Sequence, residues 1–397
     1  MLRDYQQNAI DAIKKDLHIP GSSLIVMPTA SGKSHIIAEA AKLSEHVLIL
    51  QPSRELLAQN HDKLSLIVPK EEIGIYSASF GQRDIKKFTF ATIQSVYKKP
   101  ELFQHIKLVI IDECHGLSPK EIETMYMKFL LAIGQPKTVG LTATPFRLES
   151  GYFRHPDGSL EEVTMLKIIT RIRIKASKTN FWKRIIYKID NKDLLARGFV
   201  APIEYIHEPL MPYAEIPVNV SCSDYNLEAY SEAIVGREAL ILSTIAEAQR
   251  RFKSVLVFCP TTELARHLST VVVGSSLVLG DTPKKERAEI IDGFKKGTIK
   301  TVFNVSTLTT GFDKPDLDCI ILLRPTRSLP LYNQIIGRGV RIAPGKDKCT
   351  VIDLTSTCKA LGRMETFEMY QAEYGLWELR TEKHQKWHGK VLFFRGV

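Results

Sequence analysis

Short, almost wholly apolar runs separated by helical patterns constrain this chain more than any other feature. Residues 23–27, 47–50, 107–111 and 138–141 are such runs, and patterns of helical period lie between them at 34–43 and 54–66. A strand apolar at nearly every position is buried on both faces, as in a parallel sheet covered by helices. The rhythm restarts at 254–258 and continues through 276–279, 301–304, 319–323 and 350–352. At roughly 100 to 200 residues per domain, 397 residues make two or three compact units, and the repeated rhythm makes two successive α/β units the simplest architecture. The expected class is α/β: two tandem parallel-sheet domains at 1–200 and 201–360, a basic, β-rich insertion at about 147–190 in the first, and a small C-terminal β appendage at 361–397.

Composition then removes several classes. No apolar run approaches the about 18 residues that span a bilayer, and the start, Met-Leu-Arg-Asp-Tyr-Gln-Gln, has no basic-then-apolar leader. A cytoplasmic protein of a bacterial or phage-infected cell is expected. Six cysteines lie far apart with no Cys-x-x-Cys pair, against both a zinc knuckle and a disulfide framework. A net charge of +10 favours polyanionic partners but is also ordinary for soluble proteins. The excess concentrates between Met165 and Gly198, which hold ten Lys or Arg against two Asp. That stretch, with a strand-like alternation at 168–175, reads either as a charge-protected edge or as a nucleic-acid contact through Arg171 and Arg173. For the tail's aromatics, core packing is preferred over base stacking.

Two local patterns carry chemistry. Pro28-Thr29-Ala30-Ser31-Gly32-Lys33-Ser34 follows an apolar strand and opens a helix, where backbone N–H groups cradle phosphate. Lys33 would meet the β and γ phosphates of ATP and Ser34 its Mg2+. The glycine-rich pattern is incomplete, since Met27 holds the first glycine position and Ala30 stands where many such loops have glycine. Further on, an apolar strand runs into Asp112-Glu113-Cys114-His115, putting two carboxylates at a strand's carboxyl end, where open α/β sheets bind ligands. Asp112 suits a hydrated magnesium and Glu113 the attacking water.

With Asp-Glu-Cys-His between the phosphate loop and Thr142-Ala143-Thr144-Pro145, the chain resembles the superfamily 2 helicases over about residues 1 to 342. The resemblance implies tandem RecA-like domains with ATP at the cleft between them. It also implies that Arg3 stacks on adenine, that Gln6 bonds its edge, and that Arg54, Thr92 and Gln94 grip a bound strand. Thr142 and Thr144 would couple nucleotide to strand. In the second unit, the segment 309–313 implies a phosphate contact for Thr310, Gly311 in the nucleotide-binding loop, and Asp313 at the ribose. Gln334-Ile335-Ile336-Gly337-Arg338-Gly339-Val340-Arg341 is the most specific match there. If Arg338 and Arg341, at i and i+3, share a helical face, both reach the γ-phosphate. The motif set is similar to RadD-type bacterial DNA repair helicases and phage relatives, from which the chain departs in lacking their cysteine-rich region and in carrying the insertion.

The implied activity is an ATP-dependent DNA helicase or translocase, a monomer by default, acting on single-stranded, duplex or junction DNA. Two alternatives stay open: an RNA helicase or double-strand sensor, and an ATP-regulated nucleic-acid-binding subunit without motor activity. Protein partners are not legible.

Overall fold

The structure is a computed structural model that describes residues 2–117, 125–154, 157–171, 180–219, 224–309, 311–371 and 377–381. Side chains are described for the same residues apart from 147–154, 160–167, 171 and 377–378. Contacts divide the chain into two compact units, one of residues 1–147 with 167–189 and one of 148–166 with 190–397.

The first unit is built on β1 (Ser22–Val26), β2 (Val47–Leu50), β3 (Ile73–Ser77), β4 (Gln82–Arg83), β5 (Phe88–Ala91), β6 (Leu108–Ile111) and β7 (Lys137–Thr142). β8 (Phe146–Arg154) and β9 (Leu160–Ile168) pair in a separate two-stranded sheet, and β10 (Trp182–Lys188) returns to the main one. The order is β10-β1-β7-β6-β2-β5-β3-β4, with every neighbouring pair parallel except β3–β4. β1, β2, β3, β5 and β6 are buried at every position, as near-continuous apolar sequence demands of central parallel strands.

Trp182 of β10 is 1% exposed and packs over β7, where Gly140 makes the room. A Cβ at Gly140 would lie 2.4 Å from the Trp182 ring and 2.8 Å from Cys114 Sγ. Beside it, Asp16, at the end of α1 (Asp4–Asp16), is buried between two cations. Its carboxylate lies 2.5 Å from Lys137 Nζ and accepts 2.8 Å from Arg184 Nε, with the Ser23 hydroxyl a further donor. A buried carboxylate must be paired in this way to persist charged, and the four groups together tie α1 to β1, β7 and β10.

The second unit holds β11 (Ile203–His207), β12 (Val255–Phe258), β13 (Ser275–Val278), β14 (Thr301–Asn304), β15 (Cys319–Leu322) and β16 (Cys349–Asp353). They form one parallel sheet of order β11-β16-β15-β12-β14-β13. β17 (Glu368–Gln371) and β18 (Trp377–Arg380) form the antiparallel ribbon of the appendage. Cys114, Cys259, Cys319, Cys349 and Cys358 are free and buried. Among the described residues no helix is long and apolar enough to cross a membrane.

The alternation at 168–175 does not produce a strand over its described part. β9 stops at Ile168 and Ile169–Arg171 turn as a 3-10 helix, with the Ile169 amide donating to the Pro145 carbonyl. Ile168 and Ile169 are both buried, so the run does not set one apolar face against the core and one polar face towards solvent, as the alternation suggests. Residues 172–179, including Arg173, and the side chain of Arg171 lie outside the described residues.

Candidate nucleotide site

In the first unit the loops that follow β1, β2, β5, β6 and β7 all leave from the carboxyl edge of one sheet, so sequence-distant motifs share one rim. β1 runs through Met27–Ser31 into α2 (Lys33–Ala41). The helix starts at Gly32 in the left-handed region (φ 82°), with no capping side chain and no acidic residue in its first turn. Its first N–H groups and the positive end of its dipole are therefore offered to an anion. Ala30 is also left-handed (φ 66°), so alanine stands in a conformation that glycine adopts without strain. Thr29, Ala30, Lys33 and Ser34 are partly exposed and Ser31 is buried, its hydroxyl donating 2.7 Å to the Pro28 carbonyl.

The start of α1 braces this loop. The Gln6 side-chain amide and the Tyr5 hydroxyl both donate to the Ser31 carbonyl, at 3.1 and 2.9 Å. Gln6 Oε1 accepts from the Arg3 backbone at 2.9 Å. Each end of the Gln6 amide keeps one further hydrogen-bonding position. Arg3, partly exposed, has its guanidinium 3.3 Å from the Tyr5 hydroxyl.

β6 ends in the acidic pair. Asp112 accepts from Asn60 Nδ2 and from the Glu113 backbone, each at 2.9 Å. Burial, and then the charge of Glu113, push the Asp112 carboxyl up to about 7 against the pull of Lys33. Glu113 is left-handed (φ 44°), a strained geometry of the kind stored at functional sites. It sets the carboxylate 3.4 Å from Lys33 Nζ and 3.4 Å from His115 Nδ1. His115 Nδ1 lies 2.8 Å from the Thr142 hydroxyl, which accepts from the Thr144 backbone at 3.0 Å. A chain of contacts thus runs from Lys33 through Glu113, His115 and Thr142 to Thr144.

Ser34 and Asp112 supply one hydroxyl and one carboxylate, and no cluster of three His, Cys, Asp or Glu among the described residues suits a metal. That donor set fits magnesium carried by a nucleotide, which keeps waters and phosphate oxygens and needs one or two carboxylates.

The proposed strand contacts lie on the same edge. Arg54, the first residue of α3 (Arg54–Leu64), stacks 4.5 Å over the Phe80 ring and donates to the Ser79 carbonyl. The Thr92 hydroxyl lies 2.9 Å from that of Ser95, and Gln94 is exposed.

In the second unit, the helix Leu329–Ile336 carries partly exposed Gln334 and ends before Arg338. Arg338 and Arg341 therefore do not share a helical face as the i, i+3 spacing suggests. The helix ends at Ile336 with Gly337 as its C-terminal cap, and Gly339 packs against Cys349, where a Cβ would lie 2.5 Å from the Sγ. Both arginines nevertheless converge on the Phe312 carbonyl, at 2.6 and 3.3 Å, and Arg338 also donates to the Thr309 carbonyl. Arg341 pairs with Asp313 at 3.2 Å. Gly311 is left-handed (φ 70°), and Thr310 lies outside the described residues. Asn60, Tyr5 and His115 are the contributors that sequence reasoning did not assign; a buried polar residue inside a helix carries no local signal of its partner.

A phosphate loop facing an acidic pair at the carboxyl edge of a parallel sheet is the build of a P-loop nucleotide-binding protein. Residues 1–147 match the family described as type III restriction enzyme, res subunit, and residues 237–343 the helicase conserved C-terminal domain. The chain belongs to the superfamily 2 helicases. It is 27% identical over 381 residues to IRC3 of Saccharomyces cerevisiae, provisionally named an ATP-dependent helicase, covering 89% of this chain and 51% of that protein. To the DNA 3'-5' translocase XPB2 of Sulfurisphaera tokodaii it is 25% identical over 363 residues, covering 86% of this chain and 78% of the other. Among solved structures, the Type ISP restriction-modification enzyme LlaBIII bound to DNA shares the fold with TM-score 0.60 at 15% identity, covering 89% of this chain and 27% of that one. The chain thus spans only part of the length of several proteins it matches.

Proposed function

We propose that this chain hydrolyses ATP and couples the turnover to movement along or unwinding of DNA. The observation that carries the reading is the Lys33 amine 3.4 Å from the Glu113 carboxylate, beside a helix start offered to phosphate. On this reading Lys33 turns to the β and γ phosphates and Glu113, released from it, orients and deprotonates the attacking water. Magnesium, when bound through Ser34 and Asp112, would neutralise charge on the phosphate oxygens. Its positive charge also favours the ionised form of Asp112, which burial alone disfavours. Arg3 and Gln6 read the base, with Gln6 already seated on the phosphate loop.

Changes at Glu113 pass to Thr142 and Thr144 through His115, the route by which we propose that nucleotide state reaches the strand contacts Arg54, Thr92 and Gln94. Arg338, buried with two carbonyl acceptors, holds the 309–313 loop. To Arg341, whose partner Asp313 is 39% exposed, we assign the developing γ-phosphate charge, with Gln334 nearby in sequence as a polar group for the water or phosphate. Asp313 at the ribose and Gly311 in the same loop complete the nucleotide contacts; Thr310, Arg171 and Arg173 remain strand contacts by sequence alone. Support for DNA comes from the relative named a DNA translocase.

The test is steady-state ATP hydrolysis with no strand, single-stranded DNA, duplex DNA and RNA, with Glu113→Gln as control. Stimulation by DNA that vanishes in the control is the expected result. Hydrolysis indifferent to every strand would remove the coupling, and stimulation by RNA alone would replace the substrate.

A further inference from the structure

Outside the groups assigned above, the second unit holds a half-buried arginine that the protein does not neutralise. Arg324 lies just past the carboxyl end of β15. One end of its guanidinium, Nη1, donates to the Ser306 hydroxyl, while Nε is buried without an acceptor. No described carboxylate forms an ion pair with it. Asp224, the acid whose charge it feels, is taken up by the Thr326 hydroxyl at 3.0 Å and the Arg327 amide at 2.7 Å. Arg184 and Arg341, also partly buried, each have a carboxylate. A desolvated cation without a counter-charge is costly to hold.

Its neighbour is held just as firmly. Ser306 follows β14 and is left-handed (φ 56°). The loop around it is fixed on several sides: Asn304 Oδ1 accepts from the Leu308 amide, the Thr309 hydroxyl donates to the Ser306 carbonyl, and the Thr307 hydroxyl donates to the Val278 carbonyl. Because β12 lies between β14 and β15, the Arg324 side chain must cross the carboxyl end of β12 to reach Ser306. The crossing spans two inter-strand spacings, about 10 Å. Guanidinium and hydroxyl are thereby presented together at the edge where parallel α/β sheets bind ligands, with Nη2 and the Ser306 proton uncommitted.

We propose that Arg324 and Ser306 form a phosphate seat on the second unit. A phosphate oxygen pair suits the planar fork of a guanidinium, and the serine hydroxyl adds one more donor. The phosphate belongs either to the backbone of a bound strand or to the nucleotide. The first source rests on the strand-coupled reading above; the second does not.

The experiment compares the full chain with Arg324→Gln, Arg324→Lys and Ser306→Ala, each checked for an unchanged melting transition. Affinities are measured by anisotropy for a labelled oligothymidylate across a salt series, and for a fluorescent ATP analogue with magnesium. For a strand phosphate, Arg324→Gln weakens oligonucleotide binding about tenfold and reduces the log–log salt slope by about 0.7, one single-strand contact. Arg324→Lys keeps the slope but loses part of the affinity, and nucleotide binding does not move. For a nucleotide phosphate the analogue's affinity falls instead and the salt slope stands. If folded variants change neither affinity, the seat is refuted. If the parent chain binds no oligonucleotide, the strand-coupled reading fails by itself. The seat is then decided by the analogue, a loss supporting it and no change overturning it. Should Arg324→Gln not fold, Arg324→Lys and Ser306→Ala carry the same decision.

Discussion

Replacing Gly32 with alanine tests the joint between the phosphate loop and α1. The new Cβ meets two penalties: a left-handed backbone at φ 82° and a contact 2.5 Å from the Gln6 amide nitrogen. The first costs about 1–2 kcal/mol for an L-residue. The second is relieved if the flexible Gln6 side chain withdraws, forfeiting its bond to the Ser31 carbonyl at about 0.5–1.5 kcal/mol. Gly32→Ala should therefore destabilise the first unit by about 2–3 kcal/mol, a fall of roughly 5–10 °C for a unit of this size. Gln6→Ala alone should cost about 1–2 kcal/mol through the same bond and that to the Arg3 backbone. In the double variant the bond to Ser31 is lost only once, so the combined cost should fall about 1 kcal/mol short of the sum. Urea unfolding followed by circular dichroism measures all three. Additivity within about 0.3 kcal/mol would show that Gln6 does not brace Gly32, and the joint would have to be abandoned.

Lys33→Ala should reduce ATP turnover by at least about a hundredfold while leaving the melting temperature within a few degrees, as read by phosphate release. Asp112, raised to about 7 from an unfolded value near 3.8, contributes stability that is fully present below about pH 4 and lost as pH rises through about 7. Asp112→Asn should flatten the stability of the first unit over that window, and an unchanged profile would reassign the titration. Asp16→Ala leaves Lys137 and Arg184 without their carboxylate and should cost about 3–5 kcal/mol, whereas Gly140→Ala, pressed against Trp182, should cost about 1–3 kcal/mol. Denaturant titration checks both.

The central strands and the two chemical motifs were legible because their signals are local. β1, β2, β6 and β7 announce themselves by apolar runs, and Gly32-Lys33-Ser34 and Asp112-Glu113 sit directly at their ends. β3, β5 and β11 went unread: the apolar runs of β3 and β5 are interrupted by Gly74 and Thr89, while β11 is an edge strand of mixed polarity. β10 was taken into a basic insertion because an edge strand exposes one side, so Lys183, Arg184 and Lys188 mask its pairing with β1. Asn60 and Arg324 were hidden for another reason. Their significance lies in what stands beside them, and neither Asp112 nor Ser306 is near in sequence.

The late return of the chain as β10 also decides where this protein can be cut. A fragment ending at Arg147, where the family match stops, would contain the whole phosphate loop and acidic pair yet leave β1 without its outer neighbour. β1 is buried along its entire length, so its bare side would offer an apolar ladder of N–H and C=O groups to any other chain. Such a fragment should aggregate during expression. One carried on to Ile189 closes that side and keeps Trp182 and Arg184 with it. The folding unit that houses the nucleotide loop is thus longer than the stretch that its sequence motifs mark out.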